Sequence, residues 1–170
     1  MLYCEPKSDE TLLQELDGSK KVFLLGCSLC ANISYCIHNQ MESPMFQGLE
    51  MAVNVKREME RLKKVLAERG VEAASATIIS LCCISRGDVA KVIKKSRGCD
   101  AVATLSCEFG RRNTEDYLNG KRVVGAMRNR GLMRTIVDQK GLTISFVKDK
   151  LYINNEKFSG SARDTRKVKH

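Results

Sequence analysis

Short apolar runs alternate with longer amphipathic stretches over most of the chain. Continuous apolar runs bounded by Gly or charged residues are typical of strands that are buried on both faces of a sheet. Four such runs predict four strands, at Lys20–Gly26 (KKVFLLG), Val71–Ser80, Cys99–Cys107 and Lys121–Met127.

The stretches between these runs carry apolar residues at three- and four-residue steps, which predicts helices. Such helices are expected over Gly48–Arg69 and residues 86–97. A brief helix capped by Asn113 is expected over Thr114–Leu118, and a further helix over residues 129–139. Ser8 and Asp9 are suitable caps for a helix near the N-terminus. The segment from Cys27 to Pro44 is expected to be a loop, and the alternating segment Leu142–Asn154 predicts a terminal β-hairpin turning at Lys148–Asp149.

Strands that alternate with helices favour right-handed βαβ units. The sequence therefore predicts a three-layer α/β fold with a mostly parallel sheet, helices on both faces and a C-terminal β-hairpin. The length of 170 residues suits one domain. We expect an N-terminal helical lead-in over residues 1–20, a single cluster-binding α/β domain over 21–158 and a basic flexible tail over 159–170.

Composition narrows the class of protein. No apolar run of about 18 residues predicts a membrane span, and the polar start MLYCEPKSDE is unlike a secretory signal. We therefore expect a cytoplasmic protein.

The formal net charge is +9. The first 85 residues carry 9 basic and 11 acidic side chains, and the rest carry 20 and 9, which is a net +11. A basic half of this kind suits nucleic acid, an acidic protein surface or an anionic substrate, or is simply a solvated surface. No nucleic-acid motif accompanies the charge, so nucleic acid is not the expected partner.

The chain has eight cysteines, and their positions relative to the strands point to chemistry. Cysteines in a protein without an export signal more often bind metal or act in redox reactions than form a disulfide framework. Cys27 and Cys30 follow the first predicted strand, Cys82 and Cys83 follow the second, and Cys107 ends the third. Because the carboxyl ends of parallel strands lie at one edge of a sheet, these thiols are expected to converge.

Three kinds of site remain open for these thiols. A thioredoxin-like pair would use only Cys27 and Cys30. Zinc and a [4Fe-4S] cluster both take four thiolates. The candidate ligands are Cys27, Cys30, Cys83 and Cys107, with Cys82 and Cys36 as alternates, and the candidate metal groups are a [4Fe-4S] cluster or zinc.

The remaining candidates are expected to lie outside the site. Cys99 is at the opposite end of its strand from Cys107, and Cys4 lies near the chain terminus, so both are treated as small hydrophobic residues. His38 is expected at the surface. Phosphate-binding glycine loops and serine nucleophile elbows are absent from the sequence, so no catalytic residue is assigned.

Three segments carry a family resemblance. They are VFLLGCSLCA (Val22–Ala31), the strand followed by cysteine near Cys83, and AVATLSCEFG (Ala101–Gly110). In order and spacing, over about residues 20–127, they resemble the small iron–sulfur subunit, or C-terminal-domain, family of acetogen-type methylenetetrahydrofolate reductases. The resemblance implies a [4Fe-4S] cluster in an α/β domain that works beside a flavin-containing subunit. No cysteine follows Cys107, so the cysteine-rich ferredoxin-like extension of that family is missing.

The sequence therefore predicts a non-catalytic iron–sulfur subunit of an oxidoreductase complex. It would pass electrons to or from a redox partner subunit, either a flavoprotein or a one-carbon enzyme. The alternatives are a zinc-binding structural scaffold subunit and a basic nucleic-acid-binding accessory protein.

Overall fold

Two sheets and five helices make up the part of the chain that the structure describes. The computed structural model describes residues 2–39, 53–78, 80–138, 143–153 and 156–157; at positions 36 and 37 and from 133 onward only the backbone is described. The elements in chain order are β1 (Leu2–Pro6), α1 (Asp9–Glu15), β2 (Lys21–Cys27), α2 (Cys30–His38), α3 (Val53–Ala67), β3 (Glu72–Ile78), α4 (Arg86–Ser96), β4 (Ala101–Leu105), α5 (Glu108–Tyr117), β5 (Arg122–Gly125), β6 (Met127–Asp138), β7 (Thr143–Ile153) and β8 (Glu156–Lys157).

One sheet is parallel and four-stranded, in the order β3-β2-β4-β5, and it confirms the predicted α/β fold. β2 and β4 are its central strands and are almost entirely buried, as their continuous apolar runs predicted. β2 pairs with both neighbours, so that Gly26 is opposite Thr77 on one side and Leu105 on the other. The three strands therefore end at nearly the same level.

The strand order reverses direction at β2. The chain moves from β2 to β3 on one side, then crosses to β4 and β5 on the other. With right-handed crossovers, this reversal places α3 on one face of the sheet and α4 and α5 on the other. In open α/β sheets, ligands bind outside the carboxyl ends of the strands at such a reversal. Here that position lies between the ends of β2 and β4.

The second sheet is antiparallel, in the order β1-β6-β7-β8. β1 begins the chain and pairs with β6, with Cys4 opposite Asn129. Residues 1–20 were predicted to be a helical lead-in, but only α1 is helical and β1 belongs to this sheet. Ser8 does cap α1, because its side chain accepts a hydrogen bond from the Thr11 amide.

The helix predicted over residues 129–139 is wrong, because β6 occupies this segment. β6 has β1 on one side and β7 on the other. Its backbone amides and carbonyls are therefore satisfied by two neighbouring strands, and this pairing overrides the local helical pattern.

The hairpin turn predicted at Lys148–Asp149 is also wrong, since β7 runs through it as one strand. Phe146 pairs with Thr135 and Leu151 with Met133, so the residues between them form an irregularity in the ladder. The polar pair that predicted a turn thus lies within this irregularity.

The loop predicted from Cys27 to Pro44 contains a helix, α2, that the sequence pattern did not reveal. Asn32 of α2 accepts hydrogen bonds from the backbone amides of Asn54 and Val55, which begin α3. The two helices are therefore joined at their amino ends. The predicted helix over Gly48–Arg69 is α3 from Val53, and residues 48–52 lie outside the described part.

The other two predicted helices are present as α4 and α5. α4 matches the helix predicted over residues 86–97, and α5 extends the short helix predicted over Thr114–Leu118 to ten residues. The tail, 159–170, lies outside the described residues. Within the described ranges, no helix has the length and hydropathy to cross a membrane.

Close packing of α3 on β2 depends on Gly26. A Cβ atom at this position would lie 2.5 Å from Val55 Cγ1 and 2.6 Å from Met59 Sδ, both on α3. Both distances are shorter than van der Waals contact. A side chain at position 26 would therefore push α3 away from the strand that ends in Cys27.

We expect Gly26→Ala to lower the free energy of unfolding by about 1–3 kcal/mol, the usual cost of overpacking a core. Urea denaturation followed by circular dichroism measures this change. Gly87→Ala in the first turn of α4 is the control, because its Cβ would meet only Ser85 Oγ at 3.9 Å. Equal stability of the Gly26 variant and the wild type would contradict this packing.

Candidate metal centre

Cys27 and Cys30 lie on either side of a tight turn between β2 and α2. Cys27 is the last residue of β2 and is 2% exposed. The amide of Ser28 donates to the Ile78 carbonyl at the end of β3, at 2.8 Å, and this bond fixes the turn. Cys30 is the first residue of α2. The Cys-x-x-Cys pair is thus held at the carboxyl edge of the sheet, where the sequence placed it.

Cys107 follows β4 and is the N-cap residue of α5. It is 1% exposed, and its side chain makes no capping hydrogen bond to the helix. Gly110, one turn later, allows α5 to pack closely on the loop after β3, since a Cβ there would lie 3.0 Å from Leu81 Cβ. Because β4 is the neighbour of β2 in the sheet, Cys107 lies across the strand reversal from Cys27.

The turn after β3 brings Cys82 to Cys107. Leu81 is fully buried, and its carbonyl accepts a 2.6 Å hydrogen bond from Asn113 of α5. The Cys82 and Cys107 sulfurs are 3.5 Å apart. Cys83, on the same turn, is exposed. Between the two adjacent cysteines, the structure thus favours the alternate Cys82 as the residue that faces the site.

Cys4 is a site residue that the sequence analysis missed. It is fully buried in β1, its amide donates to Ser34 Oγ on α2 at 3.1 Å, and its thiol donates to Asn129 Oδ1 at 3.2 Å. Asn129 Oδ1 also accepts from the amide of Glu108, the residue after Cys107, at 3.1 Å. Pairing between β1 and β6 brings Cys4 to Asn129, and no local sequence pattern predicts this contact.

Five thiols therefore meet at one edge of the parallel sheet, and we call them the five-thiol cluster: Cys4, Cys27, Cys30, Cys82 and Cys107. Their electrostatic coupling reflects this proximity. Burial raises the pKa of the Cys4 thiol to about 12, and the negative charges of the other four add to the effect. None of the cysteines whose side chains are described forms a disulfide.

Cys82 and Cys30 are affected for similar reasons. Burial of the sulfur, the hydrogen bond with Cys107 and the charge of Cys107 raise the pKa of Cys82 to about 12, although much of the residue is exposed. Burial and the charges of Cys107 and Cys27 raise the pKa of Cys30, and a backbone hydrogen bond from Leu2 opposes the rise. These shifts favour neutral thiols wherever no cation balances the charge.

Two other candidates, Cys99 and His38, do not join the cluster. Cys99 lies before the amino end of β4, so the whole strand separates it from Cys107. Its predicted separation from Cys107 is therefore confirmed. Burial raises the pKa of its thiol, and the charges of Lys21 and Lys121 oppose the rise. His38 is exposed at the end of α2. The side chain of Cys36 lies outside the described residues.

The donor set fits a thiolate-bound metal in kind and in number, because zinc and iron–sulfur clusters both need four sulfur ligands. Among the described residues, no three Cys, His, Asp or Glu side chains are already arranged around one metal position. The Cys82–Cys107 distance of 3.5 Å is close to the sulfur–sulfur edge of about 3.8 Å in a tetrahedral zinc site with 2.3 Å bonds.

The two adjacent cysteines give a test of this geometry. In the metal-free, reduced protein at pH 8 we expect iodoacetamide to modify Cys83 at least about tenfold faster than Cys82, because the raised pKa of Cys82 leaves little thiolate. Pulsed alkylation with tandem mass spectrometry measures both rates.

Two single variants assign the reaction to its residue. Cys82→Ser should keep the fast phase of alkylation, and Cys83→Ser should lose it. In urea, both thiols should react at the same rate, because unfolding removes the environment of Cys82. Equal rates in the folded protein would contradict the inward position of Cys82.

Comparison of the chain with protein-family models, curated proteins and solved structures found no match. The resemblance carried by the motifs around Cys27, Cys83 and Cys107 therefore stays a prediction.

Proposed function

We propose that the chain is a non-catalytic subunit that binds a [4Fe-4S] cluster through Cys27, Cys30, Cys82 and Cys107 and exchanges electrons with a partner protein. One observation carries this proposal: thiols from separate segments meet at the carboxyl edge of the sheet, beside the strand reversal. Four thiolates are the ligand set of such a cluster. When bound, the cluster supplies one-electron transfer.

The protein's own residues would hold and tune this centre. Cys27 and Cys107 are nearly fully buried, so they exclude water from one side of the site. The backbone amide of Leu2 donates to the Cys30 sulfur, and hydrogen bonds to ligand sulfurs are among the factors that set the potential of a cluster. Cys82, the exposed ligand, forms the side through which a partner would be reached.

The surface beside the cluster supports a protein partner. Of the four large hydrophobic side chains that are exposed in the described residues, Leu29 (42%), Phe109 (66%) and Leu132 (51%) border the thiols. Leu29 lies between Cys27 and Cys30, and Phe109 is two residues after Cys107. Leu132 is opposite Leu2, which contacts Cys30. Exposed apolar residues gathered beside a functional site mark a docking surface.

Charge indicates the kind of partner. The chain from residue 86 onward carries a net +11, and the Arg112 side chain beside Phe109 is 70% exposed. Arg128, next to Asn129, is exposed as well. We therefore propose a partner with an acidic surface, a flavoprotein or a one-carbon enzyme of the kind that the resemblance implies. The chain would work with it in the cytoplasm, where thiols stay reduced.

A zinc-binding scaffold subunit is the second candidate, and one observation favours it. The Cys82–Cys107 distance is close to the sulfur–sulfur distance of a zinc tetrathiolate. Zinc has no redox chemistry, so this centre would hold β2, the turn after β3 and α5 together for assembly with a partner.

Anaerobic purification followed by an absorption spectrum and iron, sulfide and zinc counts tests the proposal. We expect a brown protein with a broad band near about 400 nm and about four irons and four sulfides per chain. A colourless protein with about one zinc would establish the scaffold instead. Absence of any metal after reconstitution would contradict both.

Cys107→Ser and Cys99→Ser form a matched pair for the same measurement, because both residues are buried and lie at opposite ends of β4. We expect the first variant to lose most of its metal and the second to retain it. Equal loss from both variants would contradict the position of the centre.

A further inference from the structure

The five-thiol cluster contains one sulfur more than a tetrathiolate metal centre needs. The extra sulfur comes from Cys4 or Cys82, which differ in their surroundings. Cys4 is fully buried in a strand, whereas Cys82 is exposed on a turn. Cys27, Cys30 and Cys107 are neighbours of both.

Cys4 is held at the cluster by bonds on both sides. Its amide is bonded to Ser34, one turn of α2 beyond Cys30, and its thiol to Asn129. Asn129 is in turn bonded to the amide that follows Cys107. β1 is thus linked to the segments that carry Cys30 and Cys107, and Cys4 itself is fully buried.

We propose that Cys4 and Cys82 are alternative ligands for the fourth position of the metal. Cys27, Cys30 and Cys107 bind the metal throughout, and either Cys82 or Cys4 completes the set. This inference rests on the thiolate-bound metal centre proposed above. In the exchange, the bond between metal and Cys82 sulfur breaks and Cys82 takes up a proton. Cys4 gives up its proton and forms the new sulfur–metal bond, so no oxidant or reductant is consumed.

The exchange would have a consequence at the docking surface. While Cys4 holds the metal, Cys82 becomes an exposed free thiol near Leu29 and Phe109, where a partner would bind. The metal stays bound because the buried sulfur replaces the exposed one. Contact with a partner at Cys82 therefore need not remove the centre.

Titration of the reduced, metal-free protein with Co²⁺ tests this inference, because the sulfur-to-cobalt charge-transfer absorbance reports the number of thiolate ligands. We expect the wild type, Cys82→Ser and Cys4→Ser to give the same intensity per cobalt. The double variant Cys4→Ser/Cys82→Ser should lose about a quarter of it, since one of four sulfur ligands is gone. Its affinity for Co²⁺ should fall by at least about tenfold.

Matched controls separate ligand loss from damage to the fold. Cys82→Ser/Cys99→Ser removes the same number of thiols and should retain the full intensity. Cys4→Ala replaces Cys4→Ser in a second double variant, because a hydroxyl in a fully buried position can destabilise the core by itself. Thermal unfolding of each metal-free variant checks that it is folded.

The outcomes distinguish this inference from the proposed function. A wild type that binds no Co²⁺ would overturn the metal centre and this inference with it. If Cys82→Ser alone falls to the level of the double variant, Cys4 is not a ligand, and the centre stands without it. Full intensity in the double variant would also overturn the inference, because neither sulfur would then be bound.

Discussion

The parallel alignment of β2 with β3 and β4 is the constraint on which the rest of the structure depends. The ladder places Cys27 opposite Ile78 and Gly26 opposite Leu105, so the segments that leave these strands begin at one level. Three segments therefore leave the sheet at the same level of its carboxyl edge: the turn with Cys30, the turn with Cys82 and the start of α5 with Cys107. A register shift of one residue in β2 would turn Cys27 to the other face of the sheet.

The second sheet closes the site from the other side. The amide of Lys7 donates to the carbonyl of Ala126, and β1 pairs with β6 immediately beyond. The first residues of the chain are thereby held beside residues 127–132. Asn129 joins the two sheets, since its side chain bonds both Cys4 in β1 and the amide at the start of α5. Two hydrogen bonds from one side chain fix the relative position of its partners more strictly than apolar contact does, because hydrogen bonds are directional.

Residues close in sequence could be predicted, and residues brought together by long-range pairing could not. The runs around Val22 and Val102 predicted central strands because their composition matches burial on both faces. Cys27, Cys30 and Cys107 could be placed at one edge because parallel strands end together. Cys4 could not, because its contact with Asn129 spans 125 positions of sequence and follows from strand pairing alone.

The errors have the same origin. Residues 129–139 have a helical pattern, but β1 and β7 supply backbone partners that a helix would have to replace. Cys82 and Cys83 could not be separated by strand alternation, because β3 ends at Ile78 and both residues lie in a turn. Which of them faces Cys107 depends on how Asn113 holds the Leu81 carbonyl, which is a tertiary contact.

A centre built from separate segments would also join parts of the fold that are far apart in sequence. Cys4, Cys30, Cys82 and Cys107 come from β1, α2, the turn after β3 and α5. A metal bound by sulfurs from these segments would close loops of many tens of residues in the folded state and contribute its binding free energy to folding.

The choice of fourth ligand then has a structural meaning. With Cys82 bound, the metal joins the turn after β3 to α5 within the parallel sheet; with Cys4 bound, it joins the parallel sheet to the antiparallel one. The two ligands therefore stabilise different contacts. A partner that engages Cys82 would favour ligation by Cys4, and so the metal link between the two sheets.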